Sequence, residues 1–99
     1  MIRKSPSSRP GFLRVTFELP STVWAERVAL VGEFNDWDKQ HDFLTQDHTD
    51  AIWRVTLELE AGRQYQFRYL VNGTDWHNDW SADAYQPNVQ GSDNSIIIT

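Results

Sequence analysis

The chain has 99 residues, of which 39% are hydrophobic and 13% aromatic, with no cysteine and a formal net charge of −5 at pH 7. A chain this short supports one hydrophobic core and is too apolar to stay disordered, so one stable domain is predicted and two are excluded. The missing cysteine excludes disulfides and thiolate chemistry, and the acidic balance disfavours nucleic acid and anionic membranes, which proteins bind through clustered Lys and Arg.

Residues 1 to 10 combine Ser, Pro and basic side chains without any periodicity, so we expect a flexible N-terminal tail there and a folded domain over residues 11 to 99. The first strand is predicted from Leu13 to Leu19, where apolar and polar residues alternate with a period of two. A second, shorter strand is predicted from Arg27 to Gly32. Because it is apolar on both faces, we expect it at the centre of a sheet.

Four further β segments are predicted in the rest of the chain, at residues 53 to 60, 65 to 71, 83 to 87 and 94 to 99. Between the second and third of them, Asn72-Gly73 is a strong two-residue hairpin signal, so the chain is expected to turn back toward Trp76. No stretch has apolar residues at helical spacing, and turn residues recur at short, regular intervals. This pattern predicts an all-β fold, an antiparallel β-sandwich of about seven strands.

The fourteen acidic residues raise the question of a catalytic carboxylate pair. Three pairs are close in sequence: Asp36 with Asp38, Asp47 with Asp50, and Asp75 with Asp79. Each lies among turn residues, where Asp bonds its own backbone or stays solvated, and a small sandwich lacks the walls that would desolvate such a pair. The three histidines have no paired ligand spacing. We therefore predict no catalytic residue, no metal site and no cofactor.

The placement of tryptophan carries more information about function. Trp53 lies on the apolar side of its strand, which predicts a core position, whereas three others lie in polar loops: Trp37, Trp76 and Trp80. Each loop tryptophan alone is explained equally well by a lid on the sandwich and by a ligand platform, but three together favour the platform. In the stretch EFNDWDK, Phe34 is predicted to turn inward, which leaves Trp37 displayed. An indole ring suits the flat apolar face of a sugar, with affinities of about μM to mM.

These tryptophans lie within blocks of sequence that together form a pattern. The blocks are VALVGEFNDW at 28 to 37, Trp53 with LEAG at 59 to 62, YQFRYLVNG at 65 to 73 followed by Trp76 and Asp79, and NVQGSDNS at 88 to 95. Over residues 12 to 99 the pattern resembles the family 48 carbohydrate-binding modules. The resemblance implies an immunoglobulin-like, early-set β-sandwich.

The resemblance also implies a function. Modules of this family are appended to glycogen branching and debranching enzymes of glycoside hydrolase family 13, and one is the glycogen-binding domain of the β subunit of the AMP-activated protein kinase. The resemblance implies a non-catalytic module that binds glycogen or related α-1,4-glucans. The catalytic barrel of those enzymes is a separate and far larger domain, so no activity is expected from this polypeptide.

Roles for individual residues follow from the same resemblance. It implies that Trp37 and Trp76 stack on α-1,4-linked glucose, while Arg68 donates hydrogen bonds from the face of its strand opposite Phe67. Asn94 is implied as a partner of sugar hydroxyls. The candidate carbohydrate-binding residues are Trp37, Arg68, Trp76, Gln90, Ser92 and Asn94, with Trp80 as an open case.

The sequence also departs from the family pattern. Gln90 stands where kinase-type members have a bulky apolar residue that projects through the glucan ring, and Ser92 stands in for threonine. The loop from residue 72 to 76 is one residue longer than in kinase-type members. Trp80 stands where proline is common, and it either extends the platform or fills a gap.

These departures keep a rival function open. The chain is alternatively a protein-interaction or regulatory module of a glycogen-metabolising enzyme that has lost competent sugar binding. The Ile-rich residues 96 to 98 would then offer a strand edge for pairing. A third interpretation is a fragment of a larger enzyme.

The expected partner is an α-glucan polysaccharide or malto-oligosaccharide, or, for the rival function, a glycogen-metabolising enzyme. No nucleic-acid partner is expected. No membrane partner is expected either, because the longest apolar run, at residues 28 to 31, is far shorter than the ~20 residues that span a bilayer. A cytoplasmic location is the corresponding expectation.

Overall fold

The computed structural model describes residues 2–20, 25–87 and 93–99. Within them the chain forms nine β-strands and one short 3-10 helix, Glu33–Asn35. The strands are β1 Ile2–Pro6, β2 Phe12–Leu19, β3 Val28–Gly32, β4 Asp42–Gln46, β5 Trp53–Glu60, β6 Gln64–Val71, β7 Asp75–His77, β8 Ala84–Pro87 and β9 Asp93–Ile98. The all-β prediction is confirmed, and the described residues hold nine strands where about seven were predicted.

Two strands, β1 and β4, are absent from the sequence-based prediction, and β7 was expected only as the return of the chain toward Trp76. Strand β1 lies where a flexible tail was predicted, and it pairs antiparallel with β2, with Ile2 opposite Phe17. Four of its five residues are exposed, and β4 buries only Leu44, so neither strand shows the apolar alternation that reveals a strand in sequence. The structure therefore has a strand within residues 1 to 10, and the division of the chain at residue 10 stays a prediction.

All strand pairs are antiparallel, in the order β1-β2-β5-β4-β3-β6-β9-β8, with β7 also paired to β6. The sheet curls, because strands far apart in this order contact each other: the rings of Phe17 on β2 and Phe67 on β6 are 5.1 Å apart between centroids. At the two ends of the order, Lys4 on β1 and Asp83 beside β8 form an ion pair, with 2.7 Å between Nζ and Oδ2. The curl thus brings the two terminal strands within side-chain reach of each other.

Strand β9 is an interior strand, although residues 96 to 98 were expected to offer an edge. It lies between β6 and β8. The pairing with β8 reaches Ile96, and beyond it the backbone N–H of Ile98 donates to Oδ2 of Asp83 at 2.7 Å. The prediction of a pairing edge there is wrong, because its backbone donors already have partners.

One hydrophobic core fills the interior of the curl. Alternate residues of β2 and β6 point into it, and Val15, Phe17 and Phe67 have no exposed surface. Phe34 of the 3-10 helix packs against this core, 5.8 Å from the ring of Phe17, which confirms that it turns inward. Trp53 is 6% exposed and belongs to the same core, also as predicted.

One outer surface of the sheet, the ion-pair face, is formed by the outward residues of β2 and β5. Its cross-strand pairs are Arg14 with Glu58, Thr16 with Thr56, and Glu18 with Arg54. The two threonine hydroxyl oxygens are 2.9 Å apart. Polar groups on this surface therefore face partners directly across the strand boundary.

The second outer surface, the tryptophan face, is formed by outward residues of β3, β6 and β7 with adjoining positions of β4 and β9. Its residues are Ala29, Val31, Phe43, Gln66, Arg68, Leu70, Trp76 and Asn94. They share one side because residues directly opposite each other on paired strands point to the same face. This surface carries the strand residues that the sequence analysis assigned to sugar binding.

Candidate functional site

The loop that carries Trp37 begins where β3 has no room for a side chain. A Cβ on Gly32 would lie 2.6 Å from the backbone oxygen of Gln66 and 2.8 Å from Cβ of Phe67, so only glycine fits. The side chain of Asn35 then fixes the loop: its Oδ1 accepts from the Gly32 N–H at 3.1 Å, and its Nδ2 donates to the carbonyl of Leu30 at 2.8 Å. The loop therefore leaves β3 in a defined direction.

Trp37 has an unusual backbone conformation. Asp36 and Trp37 lie consecutively in the left-handed region, with φ of 55° and 59°. For a side chain as bulky as tryptophan this conformation costs roughly 1–2 kcal/mol. The Trp37 N–H donates to the carbonyl of Gly32 at 2.8 Å, which holds the loop closed. The indole is 37% exposed, so this strained residue presents part of its aromatic ring at the surface.

Trp76 reaches the tryptophan face through the turn after β6. Asn72 and Gly73 both have positive φ, of 54° and 75°, and the Thr74 N–H donates to the carbonyl of Val71 at 3.2 Å. The chain turns back as the sequence predicted, but three residues rather than two connect the paired Val71 and Asp75. Trp76 stands opposite Leu70 and is 38% exposed.

Two cations lie close to the Trp76 indole. Cζ of Arg68 is 5.5 Å from the ring centroid, and Nζ of Lys39 is 5.7 Å from it, both within cation–π range. Among the residues that the structure describes, neither cation has an acidic partner within ion-pair distance. Nε of Arg68 is also buried without a hydrogen-bond partner in the described part of the chain. Both cations are therefore held beside an aromatic ring and not in an ion pair with any described residue.

Asn94 lies on the same face, beside β6. Its Nδ2 donates to Oε1 of Gln66 at 3.0 Å, and Gln66 points to the same side as Arg68 two residues further along the strand. The structure thus brings Arg68, Trp76 and Asn94 onto one surface, and Lys39 links the loop of Trp37 to it. Gln90 and Ser92 lie outside the described residues.

Trp80 follows a buried aspartate. Oδ2 of Asp79 accepts from the Tyr69 hydroxyl at 2.6 Å, and its Oδ1 accepts from the Ser81 N–H at 2.7 Å. Burial raises the pKa of Tyr69, and the neighbouring Asp79 charge raises it further. Trp80 itself is 80% exposed, so it does not fill a gap in the core. It borders a mainly apolar cavity of ≈ 260 Å³ beside Leu19.

Sequence reasoning missed the positions of Lys39, Gln66 and Phe43 and the burial of Asp79. Lys39 and Gln66 act through contacts with Trp76 and Asn94, far away in sequence, and Phe43 lies on a strand that periodicity did not reveal. The one available signal was parity, because Gln66 points to the same face as Arg68. Asp79 was interpreted as a turn residue, and its bond to Ser81 is such a turn, but its contact with Tyr69 had no sequence signal.

Three of the other paired aspartates behave as turn residues, whereas Asp75 begins strand β7. Oδ1 of Asp38, Asp47 and Asp50 each accepts from a backbone N–H two residues further on, at 2.9, 2.7 and 3.0 Å, which confirms that interpretation. In the described part of the chain, no three His, Asp or Glu side chains cluster in a way that would hold a metal ion. None of the described residues belongs to a helix of the length and apolarity that a bilayer crossing requires.

Comparison with known proteins adds a family and several relatives. The family model described as carbohydrate-binding module 48 (isoamylase N-terminal domain) matches residues 13–86. The 1,4-alpha-glucan branching enzyme GlgB of Mesorhizobium japonicum is 36% identical over 52 residues, covering 48% of this chain and 7% of the enzyme. The corresponding enzyme of Bordetella pertussis is 35% identical over 60 residues, covering 60% of this chain and 8% of the enzyme.

A relative of a different kind is the AA13 family lytic polysaccharide monooxygenase A of Aspergillus terreus. It is 26% identical over 85 residues, covering 78% of this chain and 21% of that protein. The chain therefore spans less than a tenth of the branching enzymes and about a fifth of the monooxygenase.

Proposed function

The chain belongs to the carbohydrate-binding module 48 family, and from this premise we propose that it binds α-1,4-linked glucans, such as glycogen, on its tryptophan face without acting on them chemically. The observation that carries the proposal is the exposed Trp76 indole, which has Cζ of Arg68 and Nζ of Lys39 within 6 Å of its ring centroid. An aromatic ring offers its face to the C–H groups of a sugar, and the flanking cations reach the hydroxyls.

The state of the flanking groups supports this proposal. Arg68 and Lys39 have no acidic partner among the described residues, so binding a hydroxyl breaks no existing ion pair. The strained backbone of Trp37 supports a second stacking ring, since such strain is kept where function needs it. Asn94 adds an amide on the same face.

The class of sugar is proposed from the relatives. Two branching enzymes that match this chain carry 1,4-alpha-glucan in their names. The matched regions cover 7% and 8% of those enzymes, so their branching activity does not follow for this chain. We propose a binding role only.

The proposal also includes the finer form of the fold. The contact of Phe17 with Phe67 across the curl supports an immunoglobulin-like, early-set sandwich, in which β2 and β6 belong to facing layers. Docking onto a glycogen-metabolising enzyme and a cytoplasmic location stay predictions.

The test is titration of maltoheptaose, and co-sedimentation with glycogen, for the wild type and for Trp37→Ala and Trp76→Ala. If one stacked sugar covers on the order of 100 Å² of indole, each ring contributes about 2 kcal/mol. Each substitution should therefore weaken binding by roughly thirtyfold. Both rings are more than a third exposed, so both variants should keep the wild-type circular dichroism spectrum.

Trp80→Ala is the matched control, because Trp80 is an exposed tryptophan beside Leu19 and not on the tryptophan face. Its affinity should stay within about twofold of the wild type. Absence of glucan binding by the wild type, or binding that is indifferent to both platform substitutions, would refute the proposal. Co-purification of a glycogen-metabolising enzyme with a wild type that binds no glucan would establish the rival docking function.

A further inference from the structure

Phe43 is an exposed aromatic ring that the proposed stacking site does not use. It lies on β4, is 44% exposed and points to the tryptophan face, because it stands opposite Ala29 of β3. Ala29 in turn stands opposite Leu70 of β6, and Leu70 stands opposite Trp76 of β7. Phe43 and Trp76 are therefore the two ends of one row that crosses four strands.

The row is apolar between its two rings. Ala29 is 2% exposed and Leu70 is 4% exposed, so both are covered by the larger side chains around them. Neighbouring strands lie about 4.8 Å apart, so three steps separate the backbones of Phe43 and Trp76 by about 14 Å. That span is too long for one sugar ring and suits a short stretch of a polymer.

A groove lies along this row on the Phe43 side. Its volume is ≈ 290 Å³, which is at the small end of ligand sites and suits a single sugar unit. The residues that line it are Arg27, Lys39, Gln40, Phe43, Leu70 and Gly73. An aromatic ring and an aliphatic side chain are thus combined with a guanidinium, an ammonium and an amide. A sugar presents two matching surfaces. Its C–H face packs against aromatic and aliphatic side chains, and its hydroxyl groups hydrogen bond to polar and charged ones.

The groove is continuous with the Trp76 site through Lys39 and Leu70. Lys39 lines the groove and also places Nζ 5.7 Å from the Trp76 ring centroid, while Leu70 is the residue of the row next to Trp76. At the rim, Nη2 of Arg27 lies 2.9 Å from the position that a Cβ on Gly73 would occupy. Gly73 therefore leaves space for the guanidinium, as well as adopting the positive φ of the turn.

We propose that Phe43 and this groove form a second subsite, which holds a glucose unit of the same glucan chain that stacks on Trp76. The chain runs across the strands, over Leu70 and Ala29, with Lys39 and Gln40 donating to its hydroxyls. This subsite rests on the proposed glucan binding at Trp76 and extends it. It predicts that affinity rises with chain length until the row from Trp76 to Phe43 is filled.

The experiment is titration of maltotriose and maltoheptaose into the wild type, Phe43→Ala, Phe43→Leu and Gln40→Ala. Phe43→Ala should weaken maltoheptaose binding five- to tenfold and change maltotriose binding less than twofold, because the shorter sugar is held by the Trp76 end. Phe43→Leu keeps an apolar side chain, so its maltoheptaose affinity should lie between those of the wild type and Phe43→Ala. Trp76→Ala should weaken binding of both sugars.

Thr45→Ala is the matched control, since Thr45 lies on the same strand and the same side as Phe43 but outside the groove. It should bind both sugars as the wild type does. If the wild type binds maltoheptaose while Phe43→Ala and Gln40→Ala bind it equally well, the second subsite is refuted and glucan binding at Trp76 stands. A loss of equal size for both sugars also refutes the subsite. If the wild type binds neither sugar, the proposed function fails and the subsite fails with it.

Discussion

The two outer surfaces of the curled sheet use similar side chains in opposite ways. On the ion-pair face, Arg54 and Glu18 stand opposite each other and hydrogen bond directly, and the Nε of Arg3 donates to the same carboxylate at 2.9 Å. On the tryptophan face, Arg68 and Lys39 lie beside an indole and have no acidic partner among the described residues.

We propose that this difference decides which of the two faces binds a ligand. Charged groups that already satisfy one another must break a bond before they take a ligand, so the ion-pair face contributes to stability. Arg68 and Lys39 on the tryptophan face have no ion pair to break among the described residues, which is why we propose this face for recognition. Substitutions on the ion-pair face should therefore change the free energy of unfolding, and substitutions on the tryptophan face should change the affinity for glucan.

The largest effect is expected from Glu18→Gln on the ion-pair face. Glu18 is 4% exposed, and its carboxylate is shared by Arg54 and Arg3, so the neutral amide leaves two guanidinium groups with a weaker acceptor. We expect the free energy of unfolding to fall by about 2 kcal/mol, measured by urea denaturation. Maltoheptaose affinity should stay within about twofold. A matching loss of affinity would erase the distinction between the faces.

The difference in stability between the wild type and Glu18→Gln should depend on pH. Burial raises the pKa of Glu18, but the hydrogen bonds and charges of Arg54 and Arg3 outweigh this and hold it below its ordinary value. A lowered pKa in the folded state stabilises the fold above the unfolded value of about 4.3, and the contribution is lost as pH falls through the folded pKa. The stability gap between wild type and variant should therefore shrink below about pH 4. A gap that stays constant down to pH 3 would contradict this account.

A smaller effect is expected from Arg68→Met on the tryptophan face. The substitution keeps an unbranched side chain and removes the charge, so a hydrogen-bond donor beside Trp76 is lost. Maltoheptaose binding should weaken about fivefold, which corresponds to ~1 kcal/mol. The urea midpoint should barely move, because no acidic partner among the described residues depends on Arg68. A destabilised variant with unchanged affinity would show that Arg68 serves the fold.

The smallest effect is expected from Arg14→Met, the matched substitution on the ion-pair face. Nη2 of Arg14 is 3.9 Å from Oε1 of Glu58, and the arginine side chain is half exposed, which describes a weak surface pair. Neither the urea midpoint nor the maltoheptaose affinity should change measurably. If Arg14→Met destabilises the protein as much as Glu18→Gln does, the stability of this face comes from many surface pairs and not from the buried carboxylate.

Much of the fold could be predicted from sequence, because β2, β5 and β6 show a clear period of two and Phe34 and Trp53 follow their local patterns. The strands β1 and β4 could not, since β1 is mostly exposed and β4 buries a single residue. A period of two in the sequence reveals a strand only when one face of that strand is buried. Strands β1 and β4 bury too few residues to produce this pattern.

The candidate site was predictable only in part, for a related reason. Trp37 and Trp76 stand out as aromatic residues among polar neighbours, which is a local signal. Lys39 does not, because its contact with Trp76 spans 37 positions and depends on how the loop after β3 folds. Phe43 was hidden within an unrecognised strand. Contacts of this kind follow from tertiary structure and leave no mark in the sequence around either residue.

The ion pair between Lys4 and Asp83 has a consequence for solubility. Edge strands invite other chains to pair with them, and a charged side chain that points inward from an edge opposes such pairing. Lys4 points to the same side as the buried Val15 opposite it, and it meets a carboxylate from the far end of the strand order. The two terminal strands of the order therefore protect each other's open edges, and copies of the chain should resist edge-to-edge aggregation at high concentration.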